Sequence, residues 1–213
     1  MKKPISNTFF FLFALFFVVT DQITKLIVKG VDFWGIHIEG MKLGQSFEVL
    51  GSFLQITYIE NEGMAFGISF GAGKIFLSLF SIIASIFLII FLAKLKGSNF
   101  FVRTGISLIL AGAMGNLIDR VFYGVIFGEK PLFYGRVVDF LQVDIPDISI
   151  MGINYTHWPI FNVADSCVTA GVILLLIFHN KIPTFSEVFR KKDTAVAENS
   201  ESKQIITSDD NKI

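Results

Sequence analysis

The run from Ile75 to Ala93 is almost unbroken hydrocarbon. As a helix rising ~1.5 Å per residue, a run of that length crosses the ~30 Å apolar core of a bilayer. Thr8 to Val28, Val102 to Phe122 and Ile160 to Phe178 read the same way, with few interruptions. Of the 213 residues 53% are hydrophobic and Phe alone occurs 25 times. A soluble domain of this length has too little interior to hide that much apolar surface, so lipid is the expected solvent. The fold class predicted is an all-α membrane protein: a bundle of four transmembrane helices near 8–28, 75–93, 102–122 and 160–178, with a small extracytoplasmic β-sheet cap.

Met1-Lys2-Lys3 and the apolar stretch Phe9 to Val19 have the outline of a secretory signal peptide. No small-x-small cleavage site follows, and the apolar run resumes after Thr20-Asp21-Gln22, so the segment is read as the first span. The cap is expected from Ile36-His37-Ile38 and from Leu54, Ile56 and Tyr58, which alternate with Gln55 and Thr57 between Gly51 and Gly63. Trp34 suits a membrane interface. Tyr123 to Tyr155 reads as a long mixed loop, whose start, with Gly124, Gly128 and Gly135, is expected to act as a lid. Residues 1–192 are taken as a single membrane-embedded domain and the polar segment 193–213 as a disordered tail.

Lys+Arg and Asp+Glu balance at 18 each, which leaves no basic field for nucleic acid. Cys167 is the one cysteine, so an intramolecular disulfide is impossible. No Cys/His cluster has metal-ligand spacing, though Asp and Asn could still serve as oxygen ligands in a metal-dependent membrane hydrolase. Lys2 and Lys3, then Lys94, Lys96 and Arg103, then Lys181, Arg190, Lys191 and Lys192 fall on one side of a four-span model, the side expected to be cytoplasmic.

Ionisable side chains inside such spans are costly and mark functional or pairing sites. Asp21 lies ~20 Å from the cytoplasmic start of the first span, Asn116 ~21 Å and Asp119 ~25 Å up the third, and Asp165 ~8 Å below the outer start of the fourth, all at ~1.5 Å per residue. They converge on one outer layer. Asn116, Asp119 and Arg120 share a helix face, as do Asn162 and Asp165, while Asp21 and Lys25 are spaced to pair. Spacing alone leaves several readings open. Asp21, Lys25, Asp119 and Arg120 could be a neutral polar pin. The carboxylates could relay protons or cations in a small transporter. Asp139 and Asp165, with only Arg136 as a nearby basic residue in sequence, could share a proton and perform general acid–base chemistry on an amide.

Five stretches carry a resemblance: Asp21-Gln22-Ile23-Thr24-Lys25, Asn61-Glu62-Gly63-Met64-Ala65-Phe66, Gly112-Ala113-Met114-Gly115-Asn116-Leu117-Ile118-Asp119-Arg120, Val137-Val138-Asp139-Phe140 and Phe161-Asn162-Val163-Ala164-Asp165-Ser166. In that order they resemble the lipoprotein signal peptidases (signal peptidase II), bacterial inner-membrane aspartic peptidases. The resemblance implies that Asp139 and Asp165 form a catalytic dyad, that Asn61, Asn116, Arg120 and Asn162 line the site, and that Asp21, Lys25 and Asp119 support it. It implies cleavage of prolipoproteins just before a diacylglyceryl-modified cysteine, without metal or cofactor. The protein is expected to be a monomer among membrane lipids, with its site near the outer face of the membrane. Gly128-Glu129-Lys130-Pro131 and Asp144-Ile145-Pro146-Asp147 read as inserted loop, and Met64 stands where many members have a small residue.

The charge pattern predicts both termini inside and the two long loops outside. In a Cys167→Ala background, single cysteines placed between residues 123 and 135 should react with an impermeant thiol reagent on intact cells. Reaction only after lysis would invert the topology.

Overall fold

The structure is a computed structural model and describes residues 5–33, 35–63, 73–150 and 153–189. Trp34, Met64 to Phe66 and the segment 193–213 lie outside the described residues. The main unit, ending at Ile182, contains α1 (Asn7–Lys29), β1 (Val31–Phe33), β2 (Ile36–Ile38), β3 (Ser46–Leu50), β4 (Leu54–Asn61), α2 (Gly73–Lys94), α3 (Phe100–Ile118), a π-helical turn (Asp119–Tyr123), the short α4 (Gly124–Ile126), β5 (Val137–Ile150), β6 (Ile153–His157) and α5 (Val163–Ile177). The second unit, described from Pro183 to Phe189, holds one short helix, α6 (Phe185–Phe189).

Local chemistry sets the helix ends. Ser6 caps α1 by accepting from the Thr8 N–H at 3.2 Å, and Asn99 caps α3 by accepting from the Phe101 and Val102 N–H groups. Gly30 ends α1 in the left-handed region at φ 81°, where its N–H reaches the Leu26 carbonyl at 2.9 Å. A Cβ there would also strike the backbone of Gly40, so the turn from helix to sheet demands glycine.

Burial is inverted relative to a soluble protein. Leu12, Phe16, Phe76, Ile83, Leu176 and Ile177 are exposed, while Asp21, Lys25, Asn116, Asp119, Asp139 and Asn162 are buried. Apolar side chains on the outside suit lipid, and polar ones inside must satisfy one another. Among the described residues, three helices are long and apolar enough to cross a membrane: α1, α2 from Ile75, and α3 continued through the π-helical turn to Ile126. Helix α5, with 15 residues, spans only ~22 Å, and the expected span 160–178 starts late, since residues 160–162 are not helical.

The tightest packing joins α3 and α5. Gly112 lets the Ala164 carbonyl approach α3, Gly105 and Gly171 face each other, and a Cβ on Gly115 would lie 2.5 Å from Oδ2 of Asp21. Small residues permit this approach where lipid supplies no hydrophobic drive between helices.

Among the described residues, two small sheets are built from strands lying between the helices in the chain. Strands β1 and β2 pair alone; β3-β4-β5-β6 form a four-stranded antiparallel sheet. The segment read as loop to Tyr155 is therefore largely strand, and Asp144 to Asp147 belong to β5. Pro146, which has no N–H to give the ladder, sits where the β5/β6 register shifts between Asp144 and Ile148. A second shift, in β4 between Ile56 and Ile59, adjoins Asp139, which pairs with Ile59. Val28, Tyr58, Tyr123, Val138 and Phe140 form a core that fastens the sheet to the ends of α1 and α3.

Gly115→Ala should destabilise the protein by ~1–3 kcal/mol, the usual cost of overpacking. Thermal unfolding in detergent will show it, and the lipid-facing Leu12→Ala should change the midpoint far less.

Candidate active site

The centre of the polar layer is the ammonium of Lys25, fully buried. Its three N–H donors meet three acceptors: Asp21 at 2.8 Å, Asp119 at 2.7 Å and Oδ1 of Asn116 at 2.9 Å. Asp21 and Lys25 therefore pair across one turn, as their spacing suggested, and Asp119 joins them from the start of the π-helical turn.

Each of the two carboxylates has a further role. Oδ1 of Asp21 accepts from the Ala164 N–H at 2.8 Å, and Oδ2 of Asp119 accepts from the Val138 N–H at 3.2 Å. Ala164 immediately precedes Asp165, and Val138 immediately precedes Asp139. Gln22 fills the remaining positions: its amide donates to Asp21, Asp119 and the Gly115 carbonyl, and its oxygen accepts from the Tyr123 hydroxyl. Sequence reasoning did not single out Gln22 or Tyr123; the adjacency of Gln22 to Asp21 was the one available signal.

Asp165 is the third residue of α5, within its first turn and ~3 Å along the helix axis from its start. The ~8 Å depth expected from a helix starting at Ile160 is too large, because the chain before Val163 is not helical. Phe161 pairs instead with Leu141 of β5: its carbonyl accepts from Leu141 at 2.7 Å, and its N–H donates back at 3.1 Å. That bridge brings the start of α5 beside β5. A reciprocal capping box then fixes Asp165: Oδ1 of Asn162 accepts from the Asp165 N–H at 2.9 Å, and Oδ2 of Asp165 accepts from the Asn162 N–H at 3.2 Å.

Asn162 also spans the gap to the other aspartate. Its Nδ2 donates to Oδ1 of Asp139 at 2.7 Å and to Oδ1 of Asn116 at 3.1 Å. Asn116 in turn donates to Oδ1 of Asp165 at 2.8 Å. Asn61, at the end of β4, donates to Oδ2 of Asp139 at 3.1 Å. Arg120 is half-buried on the π-helical turn, within the fields of Asp119, Asp139 and Asp165. The structure thus brings together all nine residues singled out from sequence: Asp21, Lys25, Asn61, Asn116, Asp119, Arg120, Asp139, Asn162 and Asp165.

Burial and the nearby charge of Asp165 push the Asp139 carboxyl up to about 7, against the opposing hydrogen bonds of Asn61 and Asn162 and the charge of Lys25. A cavity of about 540 Å³ opens on Asp165, walled by Val143, Ile145, Trp158, Phe161 and Ile173 with Ser166 and Thr169. The loop expected to act as a lid folds back on the π-helical turn and α4. Glu129 and Lys130 donate to the Gly124 carbonyl, Phe133 to Val121 and Gly135 to Arg120, and Gly135 has no room for a Cβ against the Asp119 carbonyl.

Residues 13–181 match the family model described as Signal peptidase (SPase) II. The lipoprotein signal peptidase of Porphyromonas gingivalis is 39% identical over 75% of this chain and 77% of its own length. That of Staphylococcus aureus is 41% identical over 78% and 84%. A bacterial membrane enzyme solved by the in meso method at 1.9 Å resolution superposes with a TM-score of 0.62 at 38% identity, covering 86% of this chain and 99% of that one. Apolar helices around a buried polar site, with these relatives, define a membrane peptidase. The chain belongs to the signal peptidase II family. Membership decides against the transporter reading of the intramembrane carboxylates.

Lys25→Met leaves two buried carboxylates without their cation and should cost ~3–5 kcal/mol. Thermal unfolding should show Lys25→Met/Asp119→Asn less destabilised than Lys25→Met alone, because the second change removes one unpaired charge.

Proposed function

We propose that the protein is an aspartic endopeptidase that removes signal peptides from prolipoproteins, cutting just before a diacylglyceryl-modified cysteine. Asp139 and Asp165 are its catalytic dyad. The observation that carries this reading is the amide bridge of Asn162 and Asn116, which holds the two carboxylates in one site. The raised Asp139 carboxyl supports an assignment of roles. Asp165 takes a proton from water, whose oxygen attacks the scissile carbonyl carbon, while Asp139 gives its proton to the carbonyl oxygen. Asp165 then gives the proton it took from water to the amide nitrogen as the C–N bond breaks, and Asp139 takes a proton back from the gem-diol oxygen as the carboxyl product forms, which restores the dyad. Asn61, Asn116, Arg120 and Asn162 line the site and orient the dyad and peptide; Asp21, Lys25 and Asp119 hold the frame. The scheme uses neither metal nor cofactor.

The finer architecture is part of the same reading. Four spans carry an extracytoplasmic sheet in the bacterial inner membrane, with both termini in the cytoplasm and the site near the outer face. Residues 1–192 form the peptidase domain, a monomer among lipids, and 193–213 a dispensable tail. A lipid-modified cysteine stays anchored at ~0.8 kcal/mol per buried methylene, so cleavage must occur at the interface. The apolar cavity beside Asp165 fits such a substrate.

With purified protein and a diacylglyceryl-modified precursor, Asp139→Asn and Asp165→Asn should each lower turnover at least ~10²-fold, the scale of lost acid–base catalysis. The double mutant should be little worse than either single one, because the pair acts as a unit. Asp119→Asn should chiefly lower stability. A raised carboxyl keeps its proton below about 7 and loses it above, so turnover should fall as pH rises through about 7. Substantial cleavage by folded Asp139→Asn or Asp165→Asn would overturn the assignment.

A further inference from the structure

On the sheet face opposite the dyad lies a second cluster of charges that the mechanism above does not use. Arg136 immediately precedes β5, whose first residue, Val137, pairs with Asn61. Its guanidinium reaches two carboxylates: Nε donates to Glu62 at 2.8 Å and Nη1 to Glu60 at 2.9 Å. Glu60 and Glu62 flank Asn61. Side chains alternate across a strand, so Glu60 and Asn61 point to opposite faces, Asn61 toward Asp139, while Glu62, just past the end of β4, meets the same guanidinium as Glu60.

The grip is itself anchored. Glu60 is half-buried and accepts from the Tyr58 hydroxyl at 2.6 Å and from Lys29. Lys29, the last residue of α1, also holds Glu129 at 2.7 Å and lies over the Phe127 ring. Burial alone would raise the Glu60 carboxyl; the hydrogen bonds from Lys29, Tyr58 and Arg136 outweigh it and hold it at about 2. Glu60 therefore stays ionised wherever the dyad works, and its position is tied to α1 and to the segment after α4.

We propose that Arg136 is a positioning residue of the active site: by gripping Glu60 and Glu62 it fixes the backbone on either side of Asn61 and so keeps the Asn61 amide on Asp139. The inference rests on the dyad assignment given above. Two carboxylates in different directions need the planar fork of Arg, with Nε and Nη1 each aimed at one of them. Lysine carries the same charge but offers a point, not a fork.

The test separates geometry from charge. Asn61 favours the ionised form of Asp139, whereas Asp165 disfavours it; Asn162, Lys25 and Arg120 face Asp139 from the other elements and are unchanged by mutation of Arg136. Loss of the Asn61 hydrogen bond should therefore move the limb of the pH profile that falls near neutrality upward by about half a pH unit or more. Arg136→Gln should lower kcat by about tenfold, the scale of a lost hydrogen bond to a charged group, with little change in KM. Arg136→Lys should reproduce most of both effects. In an Asn61→Ala background both should vanish, since the residue being positioned is gone. Glu62→Ala removes one arm of the grip while leaving Glu60 with Lys29 and Tyr58, and should give the same signature in smaller measure should the Arg136 variants fold poorly. An Arg136→Lys protein with the wild-type profile would reduce the effect to charge. A lowered melting temperature with unchanged kcat and pH profile, or effects that persist without Asn61, would likewise overturn the inference. Inactive Asp139→Asn alongside normal Arg136 variants would refute the positioning role alone; active Asp139→Asn would refute the dyad itself.

Discussion

A lysine ammonium with no access to water can exist only if every donor is met, and Lys25 meets all three. Moving such an ion out of water costs several kcal/mol even after relaxation, and removing one partner leaves an uncompensated charge. The arrangement is therefore close to all-or-none. What makes it more than a pin is the second role of each carboxylate. Asp21 holds the N–H of Ala164 and Asp119 holds the N–H of Val138, so α5 and β5 are registered against the same cation. Both proposed catalytic aspartates lie one residue beyond these anchors.

Lipid as solvent explains how the layer can be assembled. Without a hydrophobic drive between helices, close approach and polar contact must supply cohesion. Gly105, Gly112 and Gly171 bring α3 and α5 together, and Gly115 leaves space for the Asp21 carboxylate. A side chain at Gly115 would damage packing and electrostatics at once. The same approach sets Asn116 within reach of Asp165 and Asn162.

Asparagine suits the space between the two carboxylates because it presents a donor and an acceptor on one small group. Asn162 uses both: its oxygen caps α5 while its nitrogen holds Asp139. A carboxylate in its place could not donate, and a lysine could not accept. Helix start and site geometry are thus one feature, which is why Asp165 falls in the first turn of α5 and not deeper.

Much was legible in the sequence. The apolar runs fixed where helices form, because hydrocarbon of that length has few other solutions. The spacing of Asp21 and Lys25 put that pair on one helix face, and helical geometry alone guarantees those neighbours; Asn162 and Asp165, at the same kind of spacing, meet instead as a capping box at the helix start. The alternation at Leu54, Ile56 and Tyr58 marked β4 for the same local reason. Other features depended on contacts between residues far apart in the chain. Nothing local says that Phe161 bridges to Leu141, that Pro146 lies at a register shift within a strand, or that Gly135 is sealed against the end of α3. The Arg136 grip on Glu60 and Glu62 joins residues more than seventy positions apart. Periodicity reports which face a residue occupies, but partners across the fold are chosen by the pairing of strands and the closeness of helices, and those only the tertiary structure decides.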